Sequence, residues 1–256
     1  KMTADDGTVG IFVGGSQSLV LGTTASTVLL VKDFGGLTAN KLAIDRNGVK
    51  IMMDENTLGG GEVSGLLRFQ NTDLVEGRNL LGRLTMAIST EMNTQHALGL
   101  DLDGNVGGNL FTPTTFGAGN VLARTAPATL NTGTAVLGLA IADTSKFEAS
   151  DYEIQFTGAA AGSITRKSDG KVTAFAAVPI TLDGLTISVG AGALAGDRFL
   201  LKPFATSAAS IQREFSSPRA LAVASPVVGQ MGSANTDSLQ QASLIARSNP
   251  PSVTPV

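Results

Sequence analysis

The chain has 256 residues, with 31 glycines, no cysteine, no tryptophan, one tyrosine and one histidine, and a net charge of −3. Without cysteine there is no disulfide framework, thiol nucleophile or cysteine-based metal site, and a single histidine excludes an intramolecular site built on two or three imidazoles. The mildly acidic balance offers no basic face for nucleic acid, while 43% hydrophobic against 15% charged residues supplies a buried core.

The N-terminal region reads as short strands between turns. Val9, Ile11 and Val13 alternate with Thr8, Gly10 and Phe12 until Gly14-Gly15-Ser16 breaks the run, and Ser18 to Leu21 can pair back as a hairpin. Val28 to Lys32, Lys41 to Ile44 and Val49 to Met53 follow. Asn47-Gly48 between the last two is the strongest short hairpin signal in the chain. The expectation is one small antiparallel sheet.

Gly59-Gly60-Gly61 ends the strand pattern. From Glu62 to about Leu98 there is no proline, and Leu67, Leu74, Leu81 and Ile88 stand seven apart, flanked by Val63, Leu66, Leu84 and Met92. This is the period of a helix with one apolar packing stripe. About 35 residues at 1.5 Å each make a rod of about 50 Å. Gly99 stands where a glycine stop is expected, and His96 lies near the negative end of the helix dipole. A rod much longer than the usual helix of about 11–12 residues calls for a long partner. No second helix of that length follows, so the partner is expected in a missing part of a parent chain or in a neighbouring subunit.

After a turn at Asp101 to Asn109, strand-length runs take over at Val136 to Ile141, Tyr152 to Phe156, Ser163 to Arg166, Val172 to Phe175, Ile180 to Leu182, Leu185 to Val189 and Arg198 to Leu201. Turn residues bound them, among them Asp169-Gly170 and Asp183-Gly184, as in an antiparallel sandwich or barrel-like domain. Thr206 to Phe215 reads as a short helix. The fold class expected is multidomain α+β: a sheet-plus-long-helix domain over 1–113, a mainly antiparallel β domain over 114–228, and a linker or the edge of a further domain over 229–256. The start at Lys1 and the run of Pro250, Pro251 and Pro255 suggest an internal piece of a longer protein. No n-region and h-region pattern opens the chain, and apolar runs such as Val28 to Val31 fall far short of the roughly 20 residues needed to span a bilayer, so no membrane partner is expected.

Candidate sites are few. Asp101-x-Asp103-x-Asn105 suggests a calcium loop, yet Val106 and Thr112 stand where an EF-hand needs glycine and a bidentate glutamate. A polar turn explains it better. His96, the only imidazole, has no Gly-x-Ser-x-Gly elbow to serve and reads as a capping or packing residue. Gly14-Gly15, Gly59-Gly60-Gly61 and Gly107-Gly108 lack the phosphate-loop pattern. Asp183 with Asp197, or Glu148 with Asp151, form conceivable carboxylate pairs, but aspartate before glycine is turn chemistry. Asp197-Arg198 lacks the aromatic platforms of a sugar site. No catalytic, cofactor or metal residue is assigned and no enzyme activity is expected; the one functional feature is the helix packing stripe Leu67, Leu74, Leu81 and Ile88.

The run from Leu58 through Gly59-Gly60-Gly61-Glu62-Val63 to Asn93-Thr94-Gln95-His96-Ala97-Leu98-Gly99-Leu100-Asp101, followed by Gly107-Gly108 and Phe111, resembles the bacterial flagellar hook-associated protein 1 family of hook–filament junction proteins. The resemblance covers residues 5 to 111, including Asp6-Gly7-Thr8-Val9, and extends more loosely to Ser150-Asp151-Tyr152-Glu153 and Gly196-Asp197-Arg198-Phe199. It implies a structural subunit of the flagellum, outside the cell, exported through the type III channel without a cleaved signal peptide. It further implies partners: other copies in a ring, the flagellar hook protein, the adjacent hook-associated junction protein and an export chaperone. The terminal helical segments of the family are missing here, so the fragment itself is expected to be monomeric. The competing expectation is a surface-exposed adhesin-like β binding module, with a carboxylate-pair hydrolase as a third class.

Overall fold

The computed structural model describes residues 2–3, 8–13, 17–34, 40–46, 48–53, 55–124, 130–224, 227–230 and 243–246. The Gly14-Gly15-Ser16 turn, Asn47 of the Asn47-Gly48 turn, the Pro-rich end and most of 229–256 lie outside the described residues.

The N-terminal strands form two sheets rather than the single one expected. β1 (Met2–Thr3), β2 (Val9–Val13), β3 (Gln17–Leu21) and β4 (Thr24–Ala25) make a four-stranded antiparallel sheet in that order, with an irregularity between Ile11 and Phe12. β5 (Thr27–Lys32), β6 (Asn40–Arg46) and β7 (Val49–Met52) make a second, three-stranded one. The division falls at Ser26. Its N–H still donates to Leu19 O at 2.7 Å, while Thr27 already pairs with Asp45 of the next sheet. Ala43 and Ile44 on the central strand β6 are fully buried. The expected β6–β7 hairpin is present, with Arg46 opposite Val49, Gly48 at φ 85° and its N–H donating to Asp45 Oδ1 at 2.8 Å.

The long helix is α1 (Glu62–Arg68), a π turn over Phe69–Asp73, and α2 (Leu74–His96). Gly59, Gly60 and Gly61 all take positive φ, which side-chain-bearing residues rarely adopt, so the chain turns sharply into α1. The stop at the far end works differently from the expected glycine cap. Gly99 is absent from the positive-φ residues; a Cβ there would lie 2.3 Å from Ala222 O, so this glycine permits a close crossing of two chain segments.

The remainder is β8 (Val121–Ala123), β9 (Leu137–Ile141), β10 (Tyr152–Phe156), β11 (Gly162–Arg166), β12 (Val172–Phe175), β13 (Ile180–Leu182), β14 (Leu185–Val189) and β15 (Arg198–Leu201), then α3 (Ser207–Ser210), β16 (Val227–Gln230) and β17 (Ser243–Ala246). A five-stranded sheet in the order β12-β11-β10-β15-β8 and a three-stranded sheet in the order β13-β14-β9 contribute to one apolar core. Tyr152, Ile154, Phe156, Ile164 and Leu201 come from the first, Leu137, Ile180, Leu185 and Ile187 from the second. The arrangement is a sandwich of two antiparallel sheets. Phe156 meets Phe175 and Phe199 edge to face at 5.7 and 6.0 Å, and Phe147 meets Phe204 at 5.4 Å.

The helix expected over Thr206 to Phe215 is only the four residues of α3. Beyond it the backbone is claimed by an isolated β-bridge between Phe111 and Arg213: Thr112 N–H donates to Gln212 O, and Glu214 N–H to Leu110 O, both at 2.9 Å. A nearby apolar spacing cannot hold a helix when a long-range bridge takes its hydrogen bonds. β16 and β17 pair antiparallel, β16 starting at Val227 in the last residues of the expected β domain and running into the segment expected to be linker or the edge of a further domain.

Candidate functional site on the long helix

The helix has two unlike faces, and the C-terminal half of the predicted stripe falls on the uncovered one. Leu67 is buried and Leu74 half-buried, but Leu81 is 57% and Ile88 43% exposed. Val63, Leu66, Phe69, Leu80, Leu84 and Met92 extend this exposed apolar surface. As a buried stripe within the chain, Leu81 and Ile88 are therefore corrected. Within these residues, the chain packs nothing over that side.

The face that is buried carries Asn79, Gly82, Met86, Ser89 and His96, with half-buried Asn93 between the last two. Their alternating spacing of three and four residues is a helix seam in its own right. Periodicity of large apolar residues does not find it, because all of these side chains but Met86 are small or polar. The spacing of Asn79, Gly82, Met86, Ser89, Asn93 and His96 was the available signal.

All of these residues but Ser89 are placed by a contact to another segment. A Cβ on Gly82 would lie 2.1 Å from the Phe204 carbonyl oxygen, so only glycine lets the helix come this close. Met86 is completely buried and joins the sandwich core. The Asn79 side chain hydrogen-bonds the Asp151 carboxyl group. Arg83 donates to Phe147 O at 3.3 Å, and Thr144 Oγ1 donates to Glu91. The helix is thus an integral wall of the β domain.

Toward its C-terminus the helix holds two passing chain segments through side chains. Asn93 Oδ1 accepts from Leu110 N–H and Phe111 N–H at 2.8 and 2.9 Å, and its Nδ2 donates to Phe111 O at 2.8 Å. One asparagine thereby satisfies three backbone groups of the segment that bridges to Arg213. His96 Nε2 accepts from Ala222 N–H at 2.8 Å; that nitrogen must then be bare, so the proton sits on Nδ1 and is donated to Gly108 O at 2.6 Å. His96 is a packing residue that ties the outgoing loop at Gly108 to the returning chain at Ala222.

The remaining candidates stand apart. Asp101 Oδ1 accepts from Asp103 N–H and Asn105 N–H at 2.9 and 2.8 Å, and the Asn105 amide bond, foremost, holds its carboxyl below the ordinary value. Asp103 pairs with Arg219 instead of pointing into a shared centre. Among the described residues no group of three or more histidines or carboxylates is placed to hold a metal ion. Burial acts to raise the Asp197 carboxyl, but the N–H groups of Leu194, Gly133 and Thr132, at 2.9, 3.1 and 2.9 Å, outweigh it and hold the carboxyl below its ordinary value. Asp183, at φ 47°, accepts from Tyr152 Oη and Arg166 at 3.0 Å each, and burial above all pushes the Tyr152 phenol up. Asp183 and Asp197 therefore serve different networks. Arg198 turns to Glu153, away from Asp197. Glu148 lies 3.9 Å from Arg166 with its side chain half exposed, while Asp151 is buried toward the helix.

Comparison with known proteins agrees with this architecture. Residues 1–111 match the model of the flagellar hook-associated protein FlgK helical domain, and residues 127–203 that of the flagellar hook-associated protein 1, D2-like domain. Flagellar hook-associated protein 1 of Salmonella typhimurium is 31% identical over 230 residues, which is 86% of this chain and 39% of the relative. Its Escherichia coli counterpart is 31% identical over 205 residues, 78% of this chain and 36% of that one. The chain thus spans well under half the length of these relatives. The solved structure of the flagellar hook junction protein FlgK from Burkholderia pseudomallei aligns with a TM-score of 0.77 at 26% identity, over 93% of this chain and 44% of its own. With both the helical segment and the β sandwich matched, the chain belongs to the flagellar hook-associated protein 1 family.

Proposed function

We propose that the chain is part of a structural subunit of the bacterial flagellum that joins hook to filament, acting by packing and self-assembly and not by catalysis. The observation that carries this reading is the uncovered apolar side of the helix at Leu81, Leu84, Ile88 and Met92, set on a helix whose other face is already docked. An exposed apolar strip of this length is an assembly surface. The packing stripe Leu67, Leu74, Leu81 and Ile88 is completed by helical segments of the parent chain or of a neighbouring copy. The names of the relatives, hook-associated and hook junction proteins, support this over an adhesin-like module.

On this reading 1–113 is the inner sheet-plus-helix domain, 114–228 the outer β domain and 229–256 a linker or the edge of a further domain. The partners are other copies in a ring, the hook protein, the adjacent hook-associated junction protein and an export chaperone. The subunit reaches the extracellular flagellum without a cleaved signal peptide. The 256-residue piece by itself stays monomeric, which light scattering checks; a stable ring formed by this piece alone contradicts it.

The functional test places Leu81→Gln together with Ile88→Gln in a full-length family member in cells lacking their own copy. Filament assembly is expected to fail although the altered piece keeps its melting temperature, because both positions are exposed within it. Normal filaments on such cells would count against the stripe as the assembly surface.

A further inference from the structure

Where the N-terminal sheets, the helix and the β sandwich converge lies a cleft of about 180 Å³, lined among others by Asp33, Lys41, Asn71, Val75, Asp151 and Lys202. It opens beside the π turn, whose Asn71 Nδ2 reaches across to donate to Asn40 O at 3.0 Å.

Most charges around the cleft are matched within the protein. Asp33 holds Lys41 at 3.6 Å and Arg124 at 3.1 Å, and Glu153 holds Lys167 at 3.4 Å and also Arg198. Asp151 is different. It is 6% exposed, Asn79 bonds its carboxyl group, and its Oδ1 has no hydrogen-bond partner among the described residues. Lys202, its side chain 12% exposed, brings Nζ only to 3.8 Å from the other oxygen, beyond hydrogen-bond length. A buried carboxylate oxygen without a donor is costly, and a buried ammonium at that distance leaves room for a bridging acceptor. The species that donates to the one and accepts from the other, and that fits beside the existing ion pairs, is water. At about 30 Å³ for each molecule the cleft has room for several.

We propose that this cleft is an internal hydration site in which ordered water donates to Asp151 Oδ1 and accepts from Lys202 Nζ, forming a structural part of the joint between the long helix and the β sandwich. The water completes the bonding of Asp151, the residue through which Asn79 holds the helix to the β10 side of the sandwich.

The test is water-to-amide cross-relaxation by NMR on the ¹⁵N-labelled 256-residue chain, reading the side-chain amides of Asn71 and Asn79. Cross-peaks with the sign of long-lived bound water are expected at both. Their absence, or cross-peaks from a co-purified solute in place of water, overturns the proposal on the unaltered protein. Val75→Phe then fills the cleft and should abolish the cross-peaks and lower the melting temperature, since it displaces water from a buried carboxylate. A Val75→Phe chain that melts higher would show a dry cleft improved by filling, and would overturn the proposal equally.

Discussion

The two faces of α2 invert the usual expectation of what belongs inside. Toward the sandwich the helix presents asparagine, glycine, serine and histidine with one methionine; toward solvent it presents leucine, isoleucine and methionine. The docked face is small and polar because backbone segments run directly across it, at Phe204 against Gly82 and at Leu110, Phe111 and Ala222 against Asn93 and His96. Passing backbone needs close approach and hydrogen-bond partners, both of which bulky apolar side chains deny. The open face is apolar, and nothing within the described residues covers it. The contrast teaches that burial within a chain does not rank residues by hydrophobicity.

Substitutions on either face break or sharpen this contrast. The largest effect is expected from Gly82→Val, where the new side chain meets the Phe204 backbone and the helix must leave the sandwich. A loss of about 4 kcal/mol or more is expected in urea unfolding, and a loss below about 1 kcal/mol would show that the close crossing yields easily. Met86→Ala comes next, at about 2–5 kcal/mol, as a cavity in a core shared by helix and sheets. Asn93→Ala should cost about 1–3 kcal/mol by leaving the Leu110 and Phe111 amides without acceptors, and amide hydrogen exchange at those two positions should quicken. Leu81→Ala, which would cost about 2–5 kcal/mol as a core residue, is expected to change the stability of this chain by less than about 0.5 kcal/mol. A multi-kilocalorie loss there would place Leu81 in the core after all and remove the contrast.

Much of the fold was legible in local chemistry. The hairpin at Gly48, the long helix after three glycines, and the antiparallel strands between Asp-Gly turns all rest on interactions within a few residues. The errors share one cause. The N-terminal strands split into two sheets at Ser26, Thr206 to Phe215 formed one turn of helix, and Gly99 proved to be a crossing point, each because a distant segment claimed the backbone. The candidate site was half legible: the spacing of Leu67, Leu74, Leu81 and Ile88 marks an apolar line, but spacing alone does not tell that Leu67 is buried in this chain while Leu81 and Ile88 are exposed.

By itself, then, the sequence determined most of the element types and the scarcity of catalytic parts, since periodicity, turn residues and the absence of cysteine are properties of the chain alone. It also carried the resemblance on which family membership rests, in the run from Gly59 through His96 to Phe111. Only the tertiary structure decided which side of the helix is covered. Both sides carry a helical period, and the choice turns on whether the neighbour offers apolar side chains or bare backbone. Against bare backbone, Gly82, Asn93 and His96 go inward and the leucines stay outward.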